Sequence, residues 1–163
     1  GTADFADRGA IGQAIRALPP DQIGADLNAV ADYVSKLPAA NGKVAVAGFC
    51  NGGSQAFRFA TMRPDLAGAF VFYGSVPDKK EEVTRITAPV YGFYGGADER
   101  VNATIPRTHA LMKEAGKKFD PVVYEGAGHG FMRAGEDPAN LREADKWARN
   151  EAWERWKGIL KKL

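Results

Sequence analysis

The sequence predicts an α/β fold: a mainly parallel sheet flanked by helices. Two observations carry this. Short apolar runs at 43–48, 66–73, 90–94 and 121–124 alternate with stretches of helical periodicity. Strands that alternate with helices pair in parallel through crossovers. The first of the runs is also apolar throughout, as expected of a strand covered by helices on both faces.

Taken in order, residues 1–20 read as a loosely helical start, with Ile11, Ile15 and Leu18 at helical spacing and Pro19-Pro20 closing it. Asp21 is the expected N-cap of an amphipathic helix over 21–37, whose apolar face is Ile23, Leu27, Val30, Tyr33, Val34 and Leu37. A turn from Pro38 to Gly42 leads into strand 43–48, and a helix over about 51–63 follows it. The next strand is Leu66–Tyr73, followed by a loop whose charged run, Lys79 to Glu82, reads as a solvated face. Strand Val90–Tyr94 ends in Gly95-Gly96, and Pro106 stands near the start of a helix over about 104–116. A short strand, Pro121–Tyr124, precedes a last helix over about 138–162. That helix carries Leu141, Ala144, Trp147, Ala148, Trp153, Trp156 and Leu160, read as a packed face. There is no internal repeat, and residues 1–163 read as a single domain.

Composition narrows the function. The chain has 163 residues, 45% hydrophobic and 26% charged, with a net charge of +2. That balance is ordinary for a soluble globular protein and gives no electrostatic case for nucleic acid or an anionic membrane. No apolar run reaches the roughly 18 residues of a spanning helix, and no signal peptide opens the sequence, so a cytoplasmic location is expected. The chain starts Gly-Thr, which we read as a start shaped by processing or truncation. A lone cysteine allows no internal disulfide and leaves a redox thiol without a resolving partner. No residue cluster has metal-ligand spacing, so neither a metal nor a cofactor is expected.

The chemistry centres on Val44-Ala45-Val46-Ala47-Gly48-Phe49-Cys50-Asn51-Gly52-Gly53. An apolar strand ends in Gly-x-Cys-x-Gly-Gly and a helical pattern follows, which is the setting of a nucleophile elbow. The flanking glycines let strand and helix approach closely, while the apex residue is held in a strained conformation. Cys50 is that residue. It stands beside a helix N-terminus whose partial positive charge suits an anionic sulfur.

A nucleophile needs a base, and the base needs an orienting group. Asp98 lies in the loop after strand 90–94, and His129 lies in Gly126-Ala127-Gly128-His129-Gly130 after strand 121–124. Both fall at the same sheet edge as Cys50. The other histidine, His109, sits mid-helix and reads as structural. Nucleophile, acid, histidine is the chain order of α/β-hydrolases.

These residues resemble the dienelactone hydrolase family. The matching blocks are Gly48-Phe49-Cys50-Asn51-Gly52-Gly53, Gly95-Gly96-Ala97-Asp98 with Val101, and Gly128-His129-Gly130-Phe131-Met132-Arg133. Asn41-Gly42-Lys43-Val44 and Phe72-Tyr73-Gly74 fit as well. The resemblance implies an α/β-hydrolase fold and an enzyme that opens dienelactone, an unsaturated cyclic ester, to maleylacetate in aromatic breakdown. Many relatives are known only as general carboxylesterases.

By the same resemblance Cys50 attacks the ester carbonyl and forms a thioester, His129 moves the proton, and Asp98 holds the imidazole. The Asn51 N–H would be an oxyanion donor, the kind of contact whose loss costs about 2.7–4 kcal/mol. Arg133 matches an arginine that binds the substrate carboxylate, with Phe49 and Tyr73 lining the pocket. Asn51 departs from the family pattern, which has a larger apolar or aromatic residue there.

Family members also have strands before the helix at 21–37. These carry a second oxyanion donor, a glutamate that contacts the resting thiol, and another substrate-binding arginine. The chain therefore resembles the C-terminal two-thirds of the fold, with the N-terminal strands missing. Strand 43–48 should then present an unpaired edge, a pairing liability that something must cover. Candidates are an N-terminal fragment, a second copy of the chain, or a rearrangement.

Two other readings remain. One is a catalytically incomplete fragment acting as an assembly or binding module. The other is a Rossmann-type nucleotide site, disfavoured because Gly48-Phe49-Cys50 lacks the glycine that close pyrophosphate approach needs.

Overall fold

The computed structural model describes residues 4–77 and 79–163, so the first three residues of the predicted helical start lie outside it. Four strands, β1 (Ala45–Phe49), β2 (Gly68–Phe72), β3 (Val90–Gly95) and β4 (Phe119–Tyr124), form one sheet in that order. Every neighbouring pair is parallel. Parallel neighbours in chain order require a crossover each time, and the helices supply it. Helices α1 (Arg8–Ala17) and α2 (Pro20–Ser35) come first, and α3 (Asn51–Met62) and α4 (Lys80–Val83) make the next two connections. Helices α5 (Glu99–Asn102) and α6 (Ile105–Glu114) link β3 to β4, and α7 (Phe131–Ala134) and α8 (Glu143–Leu160) close the chain.

The two-residue period of a strand sorts the core into two layers. Ala69, Val71, Val90 and Tyr94 face a cluster with Phe57 and Ala60 of α3 and Met112 of α6. Phe70, Phe72, Tyr91 and Phe93 face the opposite cluster, with Phe131 of α7 and Ala148 and Ala152 of α8. Both central strands are buried along their whole length, which accounts for their unbroken apolar runs.

Three expectations need correcting. Asp21 is not the N-cap of α2: Pro19 takes that place, with Pro20 in the first helical turn. The fixed φ of proline suits that position, and Asp21 falls inside the first turn, where the dipole favours an acid. The final helix starts at Glu143, not near 138. The carboxylate of Asp137 accepts from the Ala139 N–H and the Asn140 amide oxygen accepts from the Arg142 N–H. These side-chain turns compete with helix formation and leave Leu141 90% exposed.

The third concerns the apolar face of α2. Gly24 and Ala31 are buried, and Ile23 and Leu27 are half-buried. Val30, Tyr33, Val34 and Leu37 are exposed. The reason lies in the sheet. Among the described residues β1 pairs only with β2, so no strand lies beyond it to receive that half of the helix face. Ala45, Ala47 and Phe49 on β1 are exposed as well.

The elbow is the tightest junction. A Cβ on Gly48 would lie 1.9 Å from the Gly52 carbonyl oxygen, and one on Gly53 would lie 2.7 Å from that of Phe72. A Cβ on Gly74 would fall 2.4 Å from the Gly53 backbone. β1, α3 and the loop after β2 meet backbone to backbone. We predict that Gly48→Ala lowers stability in urea unfolding by roughly 1–3 kcal/mol or more, because backbone must move to admit the methyl. Gly158→Ala in α8, where a Cβ meets nothing within 4 Å, should instead stabilise by about 0.5–1 kcal/mol.

Candidate active site

Cys50 follows β1 directly and is the N-cap residue of α3, with φ 55° and ψ −122°, a conformation that costs an ordinary residue energy. Its N–H donates to the Phe72 carbonyl at 3.0 Å and its carbonyl accepts from Ser54 N–H at 3.2 Å, which holds the turn from both sides. The side chain is exposed. Asn51, the first residue of α3, has an N–H with no partner available within the helix.

Two loops bring the other groups to this sulfur. Asp98 is buried and caps α5, its Oδ1 accepting from the Val101 N–H at 3.4 Å. Its Oδ2 lies 2.5 Å from His129 Nδ1. The same carboxylate therefore braces its own turn and holds the imidazole. His129 Nε2 lies 3.1 Å from Cys50 Sγ. With Nδ1–H donating to Asp98, a neutral ring presents the Nε2 lone pair to the thiol. Carboxylate, imidazole and sulfur form one hydrogen-bonded line at the C-terminal edge of the sheet.

Beside this line is a cavity of about 510 Å³, lined by Phe49, Cys50, Tyr73, His129, Met132, Arg133 and Trp153 among others. Phe49 stacks on Phe72 at 4.6 Å and is 41% exposed. Tyr73 has φ 39°, and its ring meets that of His129 edge-on at 5.1 Å. Burial, reinforced by neighbouring Cys50 and opposed by Arg133, pushes the Tyr73 phenol up to about 12. Tyr73 thus stays a neutral hydrogen-bonding group at neutral pH.

Of the site residues singled out in the sequence, Phe49, Cys50, Tyr73, His129 and Arg133 line this cavity, Asn51 follows Cys50 outside its lining, and Asp98 is buried behind His129; His109 lies exposed on α6 with its ring 6.2 Å from Phe119. Among the described residues no group of three or more His, Cys, Asp or Glu could hold a metal ion. No helix there is long and apolar enough to cross a membrane.

Two residues escaped the sequence reading. Trp153 lines the cavity while stacked on Trp156 at 5.1 Å, so the tryptophan face is not wholly a packing surface. Asp145 on α8 is buried, and its Oδ1 accepts the Gly128 N–H at 2.7 Å. The Asn140 amide donates to its other oxygen at 3.0 Å. Asp145 thus anchors the residue just before His129. Its signal in the sequence was an acid three and seven residues ahead of buried Ala148 and Ala152, on one helical face.

Parallel strands, crossover helices and a strained strand-to-helix turn define the α/β-hydrolase class. Within it, the chain belongs to the dienelactone hydrolase family, whose sequence profile matches residues 1–163. A protein of Saccharolobus solfataricus, named provisionally as a carboxymethylenebutenolidase, is 35% identical over 74% of this chain and 45% of its own length. A Salmonella typhimurium protein named in the same way is 32% identical over 92% of this chain and 60% of its own length. The chain thus spans about half the length of these relatives. Among solved structures, a dienelactone hydrolase-like promiscuous phosphotriesterase from metagenomic libraries superposes with a TM-score of 0.81 at 22% identity. That match covers 96% of this chain and 69% of the other, and it bears on the fold alone.

Removing the Asp145 acceptor should disturb His129 without touching the cavity. On the ester-hydrolase reading proposed below, Asp145→Ala is expected to lower kcat by about tenfold with little change in KM, since a buried N–H loses its partner. Asp145→Asn, which keeps an acceptor oxygen, should recover part of the loss. Steady-state kinetics of the two variants would check this.

Proposed function

We propose that this chain carries the catalytic centre of a thiol-dependent carboxylic ester or lactone hydrolase. The observation that carries the reading is the continuous Asp98–His129–Cys50 line, with contacts of 2.5 Å and 3.1 Å. In this mechanism His129 takes the thiol proton as Cys50 Sγ attacks the carbonyl carbon. Asp98 holds the ring and stabilises the imidazolium. The Asn51 N–H faces the developing oxyanion at the start of α3. The alkoxide leaves with the proton from His129, and a thioester remains. Water, deprotonated by His129, then hydrolyses it and frees the thiol.

Arg133, which lines the cavity, suits a substrate carboxylate, and Phe49 and Tyr73 suit an unsaturated or aromatic body. That is the substrate class the names of the curated relatives also suggest. No resident cofactor enters the scheme.

Cys50→Ala is expected to abolish hydrolysis of an activated ester. His129→Ala should remove steady turnover while leaving Cys50 open to alkylation by iodoacetamide. Wild-type turnover rates in His129→Ala would overturn the assignment.

We further propose that a strand pairs with the free side of β1 and covers Val30, Tyr33, Val34 and Leu37. Their exposure along an unpaired edge is the supporting observation. The remaining length of the relatives makes a further segment of the parent protein the favoured occupant. A second copy of the chain is the other outcome. Residues 1–163 alone are then expected to self-associate in sedimentation velocity, and Tyr33→Lys with Val34→Lys should reduce that association. A stable, soluble monomer of the unmodified chain would count against a covering strand.

A further inference from the structure

We infer that Ser54 and Ser75 hold the water that hydrolyses the acyl-enzyme, in a small polar cavity that adjoins the apolar one at Cys50 and His129. This deepens the hydrolase reading above and rests on it.

A cavity of about 180 Å³ shares Cys50, Tyr73 and His129 with the larger one, and Ser54 and Ser75 belong to its own wall. It has room for several waters. Ser54 stands one helical turn after Cys50, and its N–H donates to the Cys50 carbonyl at 3.2 Å. Its place relative to the sulfur is therefore set by α3. Its Oγ accepts the Ser75 N–H at 2.8 Å, which joins the helix to the loop after β2 and occupies one lone pair of the hydroxyl.

The protons of these two hydroxyls have no protein acceptor among the described residues. Elsewhere Ser35, Thr61, Thr84 and Thr104 each donate to the carbonyl three residues earlier. Thr87 and Thr108 donate to the carbonyls of Pro64 and Pro77. Every other described serine or threonine thus donates to the backbone. The two that do not are both half-buried, and they line one cavity with Cys50 and His129.

A deacylating water needs a base within reach of its proton, and it must approach the thioester carbonyl from a side the acyl group does not fill. Phe49, Met132 and Trp153 give the larger cavity an apolar wall for the acyl body. The smaller cavity then receives the water once the alcohol has left. There the Ser54 hydroxyl donates to the water oxygen, Ser75 Oγ accepts one water proton, and His129 Nε2 accepts the other. One lone pair of the water remains for the carbonyl carbon. The C–O bond forms as His129 takes the proton. The C–S bond then breaks, and the leaving sulfur takes that proton back from the imidazolium.

The test follows one acyl-enzyme in the whole protein. With p-nitrophenyl phenylacetate, nitrophenolate release in stopped flow gives the acylation rate. Decay of the phenylacetyl group on Cys50, read by intact mass, gives the deacylation rate. In Ser54→Ala acylation should stay within about twofold of the wild type while deacylation slows by about tenfold, the scale of one neutral hydrogen bond. kcat and KM then fall together and kcat/KM holds. Ser54→Thr, which keeps a hydroxyl, should recover part of the rate. Ser75→Ala keeps the N–H that Ser54 accepts, so a several-fold loss of deacylation there does not come from a displaced loop. A displaced elbow would slow both steps alike. Equal slowing of acylation and deacylation, or a deacylation rate blind to both alanine substitutions, overturns the water site and leaves the hydrolase reading standing. No nitrophenolate release by the wild type overturns that reading and the water site with it.

Discussion

The structure depends on a backbone approach too close for side chains. Where β1 turns into α3, the strand end, the first helical turn and the loop after β2 meet at Gly48, Gly53 and Gly74. This contact forces Cys50 into its positive-φ conformation and leaves its sulfur standing clear of the sheet edge. The Cys50 N–H to Phe72 carbonyl bond then ties the turn to the most deeply buried part of the sheet. A nucleophile on a flexible loop would pay entropy to meet its base. Here the cost of strain is met by packing far from the reacting atom.

The other groups follow from sheet topology. In a parallel sheet all strands end on one side, so the loops after β1, β3 and β4 converge there whatever their sequence separation. Asp98 and His129 are 31 residues apart, and His129 is 79 from Cys50, yet all three meet in one line. Each loop is also held independently. Asp98 caps α5 with the oxygen it does not give to His129, and Asp145 of α8 grips Gly128. The imidazole is thus positioned by two buried carboxylates, one bonded to its ring and one to the backbone before it.

Much of this was legible in the sequence because the relevant signals are local. Glycines around Cys50 and glycines around His129 announce sharp turns, and apolar runs announce buried strands. The strand and helix order then places the turns on one edge. What escaped was set by distance or competition. Asp145 reads as an ordinary helix acid until α8 folds against the histidine loop. The start of α8 was misjudged because Asp137 and Asn140 offer the backbone side-chain acceptors that a helix must outcompete. Helix α2 shows the opposite case. Its periodicity correctly marks an amphipathic helix, but periodicity cannot say which apolar residues become buried, and four of the six on that face lie exposed.

That uncovered face bears on the site itself. Phe49 is the last residue of β1, so it belongs at once to the unpaired edge and to the wall of the larger cavity. A strand laid along β1 would run beside Phe49 and approach the elbow, from the direction in which the family resemblance places a second oxyanion donor. On the proposal that a strand covers this edge, completing the sheet would also complete the wall of the cavity beside Phe49. The hydrogen-bonded line of Asp98, His129 and Cys50 lies wholly within the described residues. The apolar cavity beside Phe49 is the part whose shape depends on what pairs with β1. On the proposed hydrolase reading, the groups that act on the scissile bond and the wall that would receive the substrate body thus lie on different parts of the sheet.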